Sequence, residues 1–251
     1  MTVAALGYAI AVGRSASGTV LVGLAVLGGQ LCIGWQNDAT DAPRDLAVGR
    51  KDKPIATGAV ARRTVGGAAL LAGFVTVPLS LASGWRAGAV HLTAVGSAAA
   101  YNGRLKSGPA SFAPYVVSFG LLPAFVTLGA RGSPLPPWWV VAGTASLGCS
   151  AHFLNVAPDR EGDLATGVRS LPHRLGHRPT AFIAAILGLA SSALLAFGSG
   201  HATPVKVAGF SVTAGLALFG TFAAARGSRS GFRAIVLVAL VDVALLLVSA
   251  R

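Results

Sequence analysis

The chain is 251 residues long, 53% hydrophobic and only 11% charged, with a formal net charge of +12. A soluble domain carries about twice that charged fraction, so the composition excludes an ordinary water-soluble globule. The excess of Lys and Arg reads as membrane topology rather than as a nucleic-acid surface, and a lipid bilayer is the expected surrounding.

Nine hydrophobic segments follow in chain order, at about 2–13, 17–36, 64–83, 87–103, 113–130, 137–157, 179–198, 204–225 and 233–250. Their apolar runs, among them Thr19–Trp35, Val65–Ser83, Phe182–Phe197 and Ala234–Ala250, approach the length of a bilayer-spanning helix. The expectation is an all-α polytopic bundle of nine transmembrane helices, the first one short. At about 1.5 Å per residue the first segment cannot cross a bilayer upright, and it reads as a partial helix or the remainder of a longer one. Met1–Val12 has no basic residue ahead of it and no small-residue cleavage site, so a cleavable signal is not expected. No linker or composition shift divides the chain, which points to one domain over residues 1–251. Pro78, Pro114 and Pro123 are expected to kink their helices, and 33 glycines suit close helix packing. Cys32 and Cys149 lie inside segments without a CxxC pair and read as small apolar filler. Nothing in the sequence marks an oligomeric state.

The connections after the second, fourth, sixth and eighth segments hold fifteen of the 20 Lys and Arg residues; the opposite side holds Arg14, Arg86, Arg131, Lys206 and Arg251. The positive-inside rule places the crowded side in the cytoplasm. Nine spans then put the amino terminus inside and the carboxyl terminus outside, in a plasma membrane of bacterial type.

There are only eight acidic residues. Asp38, Asp41, Asp45 and Asp52 follow the second segment, Asp159, Glu161 and Asp163 follow the sixth, and Asp242 stands apart. Asn37, Asp41 and Asp45 are spaced i, i+4, i+8, as are Asn155, Asp159 and Asp163. On a helix that spacing stacks side chains along one face. Pro43 and Pro158 interrupt the pattern, so each span is expected to kink or restart there. A carboxylate at the bilayer centre costs roughly 2.5–3.5 kcal/mol and clustered ones repel further, penalties that a multivalent cation removes. Hard oxygen donors with open positions suit Mg²⁺ shared with substrate phosphates. Lys53, Lys106, Arg169 and Arg174 lie near the acids, a combination that favours binding and ionising a diphosphate over conducting a cation.

These segments resemble the UbiA superfamily of membrane prenyltransferases. NDATDAPRD at Asn37–Asp45 matches its NDxxDxxxD motif, and DKPIATG at Asp52–Gly58 is similar to the element that follows. YNGRLKSGP at Tyr101–Pro109 resembles its Y-x₃-LK segment, and NVAPDREGDLATGVRSLPHRLG at Asn155–Gly176 its second acidic motif with a basic tail. The resemblance implies a helical bundle around a central cavity. It also implies Asn37, Asp41, Asp45, Asp159 and Asp163 as Mg²⁺–diphosphate ligands, with Asp38 a weaker candidate. Lys53, Lys106 and Arg169 would hold diphosphate oxygens, and Tyr101 and Asn102 would line the pocket near the cleaved bond. The chain departs from the family's pattern at its start, where a full first helix preceded by a basic or polar segment is the rule.

The implied activity is Mg²⁺-dependent transfer of a prenyl group from an isoprenoid diphosphate to a small acceptor of aromatic or quinone type, with Asp41, Asp45, Asp159, Asp163 and Lys106 carrying the catalysis. Cyclisation of the prenyl chain without an acceptor is the alternative within the family. A divalent-cation transporter and a non-catalytic isoprenoid-binding protein are the rivals outside it. His152, just ahead of the second motif, is a candidate acceptor contact. His91, His173, His177 and His201 read as loop or interface residues, and Trp138 and Trp139 as an interfacial anchor.

Overall fold

The computed structural model describes residues 1–156, 160–200, 203–226, 228 and 230–249. Among these residues the chain is all helical. Its elements are α1 (Thr2–Ala11), α2 (Ala16–Ala47), α3 (Arg62–Leu81), α4 (Trp85–Gly103), α5 (Ala113–Leu128), α6 (Trp138–Val156), α7 (Arg160–Ala165), α8 (Leu171–Leu175), α9 (His177–Phe197), α10 (Pro204–Ala225) and α11 (Ser230–Ser249). Each of the nine apolar segments is one helix, and α7 and α8 are two short additions between the sixth and seventh. By length and composition α2, α3, α9 and α10 can cross a membrane, while α1 and α5 are shorter apolar helices.

Consecutive long helices pack as neighbours from α2 round to α6, α9, α10 and α11, and α11 then packs on α1, which packs on α2. The long helices therefore close into a ring. Bilayer-facing surfaces are apolar, with Leu70, Leu71 and Phe74 of α3 exposed. The interior contains Tyr8, Val22, Phe125, Val140 and Leu195 in one cluster, and Leu147, Phe153, Leu154 and Val238 in another. Trp139 belongs to the first cluster and is buried, so only the exposed Trp138 stands where an interfacial anchor could. Asp242, the isolated acid, is fully buried in α11 and accepts a hydrogen bond from Ser191 Oγ at 2.8 Å.

Pro43 does not break its helix. α2 runs unbroken through it for 32 residues, about 48 Å at the helical rise and well beyond a bilayer's hydrocarbon thickness. A proline removes the N–H that would bond the carbonyl four residues earlier, here that of Ala39. Arg62, at the start of α3, donates its Nε–H to that carbonyl at 2.7 Å. The backbone is thereby satisfied from a neighbouring helix, and Asp41 and Asp45 stay on one helix one turn apart. Pro78 and Pro123 also sit inside continuous helices. Pro114 instead lies in the first turn of α5, where a missing N–H costs nothing. At the opposite end of the bundle Arg14 donates to Val126 O at 3.0 Å, a cation placed on the carboxyl-terminal turn of α5.

Glycine brings α3 and α4 together. A Cβ at Gly88 would sit 2.8 Å from Leu81 Cα, whereas one at Gly96 would meet nothing within 4 Å. Gly96→Ala is expected to raise the unfolding temperature in detergent, by up to about 1 kcal/mol of helix propensity. Gly88→Ala is expected to lower it, by about 1–3 kcal/mol of overpacking. Differential scanning fluorimetry of the two variants against the parent checks the opposite signs.

Candidate active site

The ring of helices encloses a cavity of about 1360 Å³. One end is charged. Four carboxylates (Asp41, Asp45, Glu161, Asp163) and six cations (Arg44, Arg50, Lys53, Lys106, Arg160, Arg226) line it among the described residues. Below these the wall becomes apolar, formed by α2, α4 and α5. The two acidic segments, more than a hundred residues apart in sequence, therefore face one space.

α2 supplies the first wall. Asn37, Asp41 and Asp45 all line the cavity, and Asp41 and Asp45 are only 7% and 8% exposed. Asp41 is held from both sides: Lys106 Nζ pairs with its Oδ2, and Arg44 Nη2 lies 2.6 Å from its Oδ1. Lys106 also donates to Asn37 Oδ1 at 3.4 Å. Lys106 reaches α2 because the chain leaves α4 through a short 3-10 turn, Leu105–Ser107. One turn back, Asn102 anchors α4 to α2 by donating to Ile33 O at 3.0 Å and Gln36 Oε1 at 3.2 Å. Tyr101 lines the cavity beside it, its ring edge-on to Tyr115 at 5.1 Å. Lys53 lines the cavity and pairs with Asp38 at 2.6 Å, while Asp38 itself is not among the lining residues. Arg50 donates twice to Asp52, at 2.8 and 2.9 Å, and holds that exposed carboxyl well below the usual carboxylate range.

The second wall draws on a later part of the chain. Asn155 belongs to α6 and Asp163 to α7; Asp159 and Pro158 lie outside the described residues. Asp163 faces His173 Nε2 at 3.3 Å. The backbone N–H of Ser170 donates to His173 Nδ1 at 3.1 Å, which assigns the imidazole proton to Nε2, toward the carboxylate. His173 is thus a buried partner of an acid, not a loop or interface residue. His91 departs from expectation in the same way, lying buried within α4 on the cavity wall. His177 opens α9 and also lines the cavity, and His201 lies outside the described residues.

Two sequence-expected residues take other places. Arg169 is exposed and does not line the cavity; Arg160 does. His152 is fully buried behind the wall, packed against Tyr115 and Tyr101 at ring distances of 4.7 and 5.7 Å. Its Nε2 meets Ser111 Oγ at 3.0 Å, and Ser111 also accepts the backbone N–H of Leu171 at 3.1 Å. Ser111 therefore ties the segment after the second acidic motif to α6. Arg44, three residues from Asp41, is the cation that sequence reasoning passed over; the i, i+3 spacing signals it.

The fold and the cavity together describe a polytopic helical bundle in which paired carboxylates and cations adjoin an apolar interior. The chain matches the UbiA prenyltransferase family over residues 1–246 and belongs to that family. It superimposes on the apo structure of a UbiA homologue from Aeropyrum pernix with a TM-score of 0.80 at 17% identity, over 98% of this chain and 97% of that one. A UbiA homologue from Archaeoglobus fulgidus bound to DMAPP and Mg²⁺ gives 0.72 at 16% identity, over 98% and 94%. A digeranylgeranylglyceryl phosphate synthase gives 0.71 at 14% identity, over 99% and 92%. At these identities the likeness is one of fold. No protein of curated function matches the chain by sequence.

Replacing Ser111 by Ala leaves the Leu171 N–H and the His152 ring without their partner. The expected cost is about 1–3 kcal/mol. It should appear as a lower unfolding temperature together with faster proteolysis between residues 160 and 176.

Proposed function

We propose that the chain transfers a prenyl group from an isoprenoid diphosphate to a small acceptor of aromatic or quinone type, with Mg²⁺ at the charged end of the cavity. The observation that carries this reading is the mixture of six cations with four carboxylates above an apolar interior. A site for a divalent cation alone gains nothing from Lys and Arg among its acids, whereas a diphosphate needs both. The homologue from Archaeoglobus fulgidus, with DMAPP and Mg²⁺ bound, adds support from the same fold.

The donor set fits Mg²⁺. Asn37, Asp41, Asp45 and Asp163 present hard oxygens, and Asp159 completes the second motif. No three acid, His or Cys side chains converge on one point among the described residues. Carboxylates on two walls suit an ion that shares its shell with phosphate oxygens, as Mg²⁺ does. When bound, Mg²⁺ supplies neutralisation of charge on the leaving diphosphate.

The chain's own residues do the rest. Lys106 and Arg44 are preorganised around Asp41 and stand ready to turn to phosphate oxygens, with Lys53, Arg50 and Arg160 beside them. Their charge stabilises the diphosphate as the allylic C–O bond breaks and its electron pair leaves with oxygen. Tyr101 and Asn102 border the reacting carbon. The apolar wall keeps water from the prenyl cation until the acceptor forms the new bond and releases a proton. We also propose one domain spanning residues 1–251, nine spans, a cytoplasmic charged end, an inward amino terminus and an outward carboxyl terminus.

Asp41→Ala is expected to reduce release of diphosphate from a labelled prenyl diphosphate by at least about 100-fold, the scale of losing a preorganised electrostatic group. The variant should still enter membranes at parental levels. Near-parental turnover would overturn the scheme. For topology, a cysteine at Arg50 should be shielded in intact cells from a membrane-impermeant maleimide, and one at Arg131 labelled.

A further inference from the structure

Around the first acidic wall each of four cavity cations already has an acid. Lys106 and Arg44 share Asp41, Lys53 holds Asp38 and Arg50 holds Asp52. The far side of the ring, where α9 begins, is different. Three buried side-chain nitrogens there, Arg160 Nε, His173 Nε2 and His177 Nδ1, have no hydrogen-bond partner among the described residues. All three residues line the cavity. A buried polar nitrogen left unpaired is costly, and three of them on one wall point to a ligand that completes them.

The local fold aims these groups. The backbone N–H of Ser170 donates to His173 Nδ1, which leaves the ring proton on Nε2, and His173 is only 3% exposed. α8 is fixed from two sides, with Leu171 N–H donating to Ser111 Oγ and Thr180 Oγ1 donating to Pro172 O at 3.0 Å. Gly176, at φ 84°, ends α8 and opens α9 without a side-chain cap, which brings His177 to the same wall. Arg160 is held by its Nη2, which donates to His173 O at 3.2 Å and leaves Nε over. α9 is 21 residues long, and its amino-terminal end adds the positive pole of a helix dipole. These features favour an anion. Asp163 alone opposes one, its Oδ2 lying 3.3 Å from His173 Nε2 without a hydrogen bond. A carboxylate at that place selects an anion that arrives with a cation, as a phosphate does with Mg²⁺.

We propose that this corner binds the terminal phosphate of the prenyl diphosphate, and that His173 and His177 distinguish a diphosphate from a monophosphate. The assignment rests on the prenyl-diphosphate reading of the cavity and adds an orientation to it. α2 and α9 stand across the ring from each other, so the diphosphate spans the mouth. The phosphate bonded to the prenyl carbon lies on the Asn37–Lys106 side, beside Tyr101 and Asn102, and the terminal one lies at α9. There it accepts N–H donors from both histidines, with the charge of Arg160 beside them. A monophosphate reaches the first side only.

The test uses the full chain in lipid nanodiscs with Mg²⁺, empty nanodiscs subtracted, titrated with geranyl S-thiolodiphosphate and geranyl S-thiolomonophosphate. The parent is expected to bind the diphosphate at least about tenfold more tightly, the scale of one charge-assisted hydrogen bond. His177→Leu should cut that preference by about tenfold while monophosphate binding stays within about twofold, which also shows that the variant is folded. His177→Gln, which keeps an N–H, should restore part of the preference, and His173→Gln should retain more of it than His173→Leu. The parent alone gives a second readout: ¹⁵N resonances of His173 and His177 should move on adding the diphosphate and stay in place with the monophosphate. A preference unchanged in both leucine variants, equal weakening of both ligands, or equal resonance shifts with both would each overturn the proposal. In those cases the prenyl-diphosphate reading stands, because the parent still binds the thiolodiphosphate. No binding of the thiolodiphosphate by the parent would overturn that reading and this orientation with it.

Discussion

The structure depends on the charge balance around Asp41. A carboxylate 7% exposed inside a membrane bundle is unfavourable unless it is paired, and Lys106 and Arg44 pair it from opposite sides. The Lys106 contact joins the end of α2 to the turn after α4. Asn102, which bridges the same two helices one turn deeper, makes the join rigid. The second acidic segment has its own support, in which Ser170 orients His173 and His173 faces Asp163. Each wall thus has one acid, Asp41 or Asp163, positioned by protein groups.

The division of the cavity follows from membrane physics. Charge collects at one end, where α2 outruns the hydrocarbon thickness and three short elements, the 3-10 turn Leu105–Ser107, α7 and α8, gather loop residues over the mouth. The interior is apolar because helices crossing lipid have few ways to satisfy polar groups. Where a polar side chain does enter, it is anchored by a fixed chain of hydrogen bonds, as with His91, Ser80 and Thr76. A prenyl diphosphate, apolar along most of its length and highly anionic at one end, has the same polarity as this space.

Much of this was legible in the sequence. The nine apolar segments became the nine longest-running apolar helices, and the i, i+4, i+8 spacing of Asn37, Asp41 and Asp45 became one cavity-facing stripe. A restart of the helix at Pro43 was one expectation because sequence shows the missing N–H but not its remedy, Arg62 arriving from the next helix onto Ala39 O. Arg169, expected at the diphosphate, lies off the cavity wall, while Arg160, given no role by the sequence, lies on it. Spacing cannot tell which of several nearby cations a short helix such as α7 turns inward. His91 and His173 looked like loop residues because their partners, Ser80 and Ser170 with Asp163, bear no mark of pairing in the sequence. Family membership rests on residues 1–246 and was visible from four motifs in order.

The most direct measurement is a binding titration of a non-cleavable prenyl thiolodiphosphate to the purified chain in nanodiscs, with and without Mg²⁺. If the two acid walls hold the ion together with the diphosphate, Mg²⁺ should tighten binding by at least about tenfold, a coupling of about 1.4 kcal/mol, and Asp163→Asn should abolish the tightening. Equal affinity with and without Mg²⁺, or coupling that persists when both Asp41 and Asp163 are neutralised, would contradict a shared metal–diphosphate site.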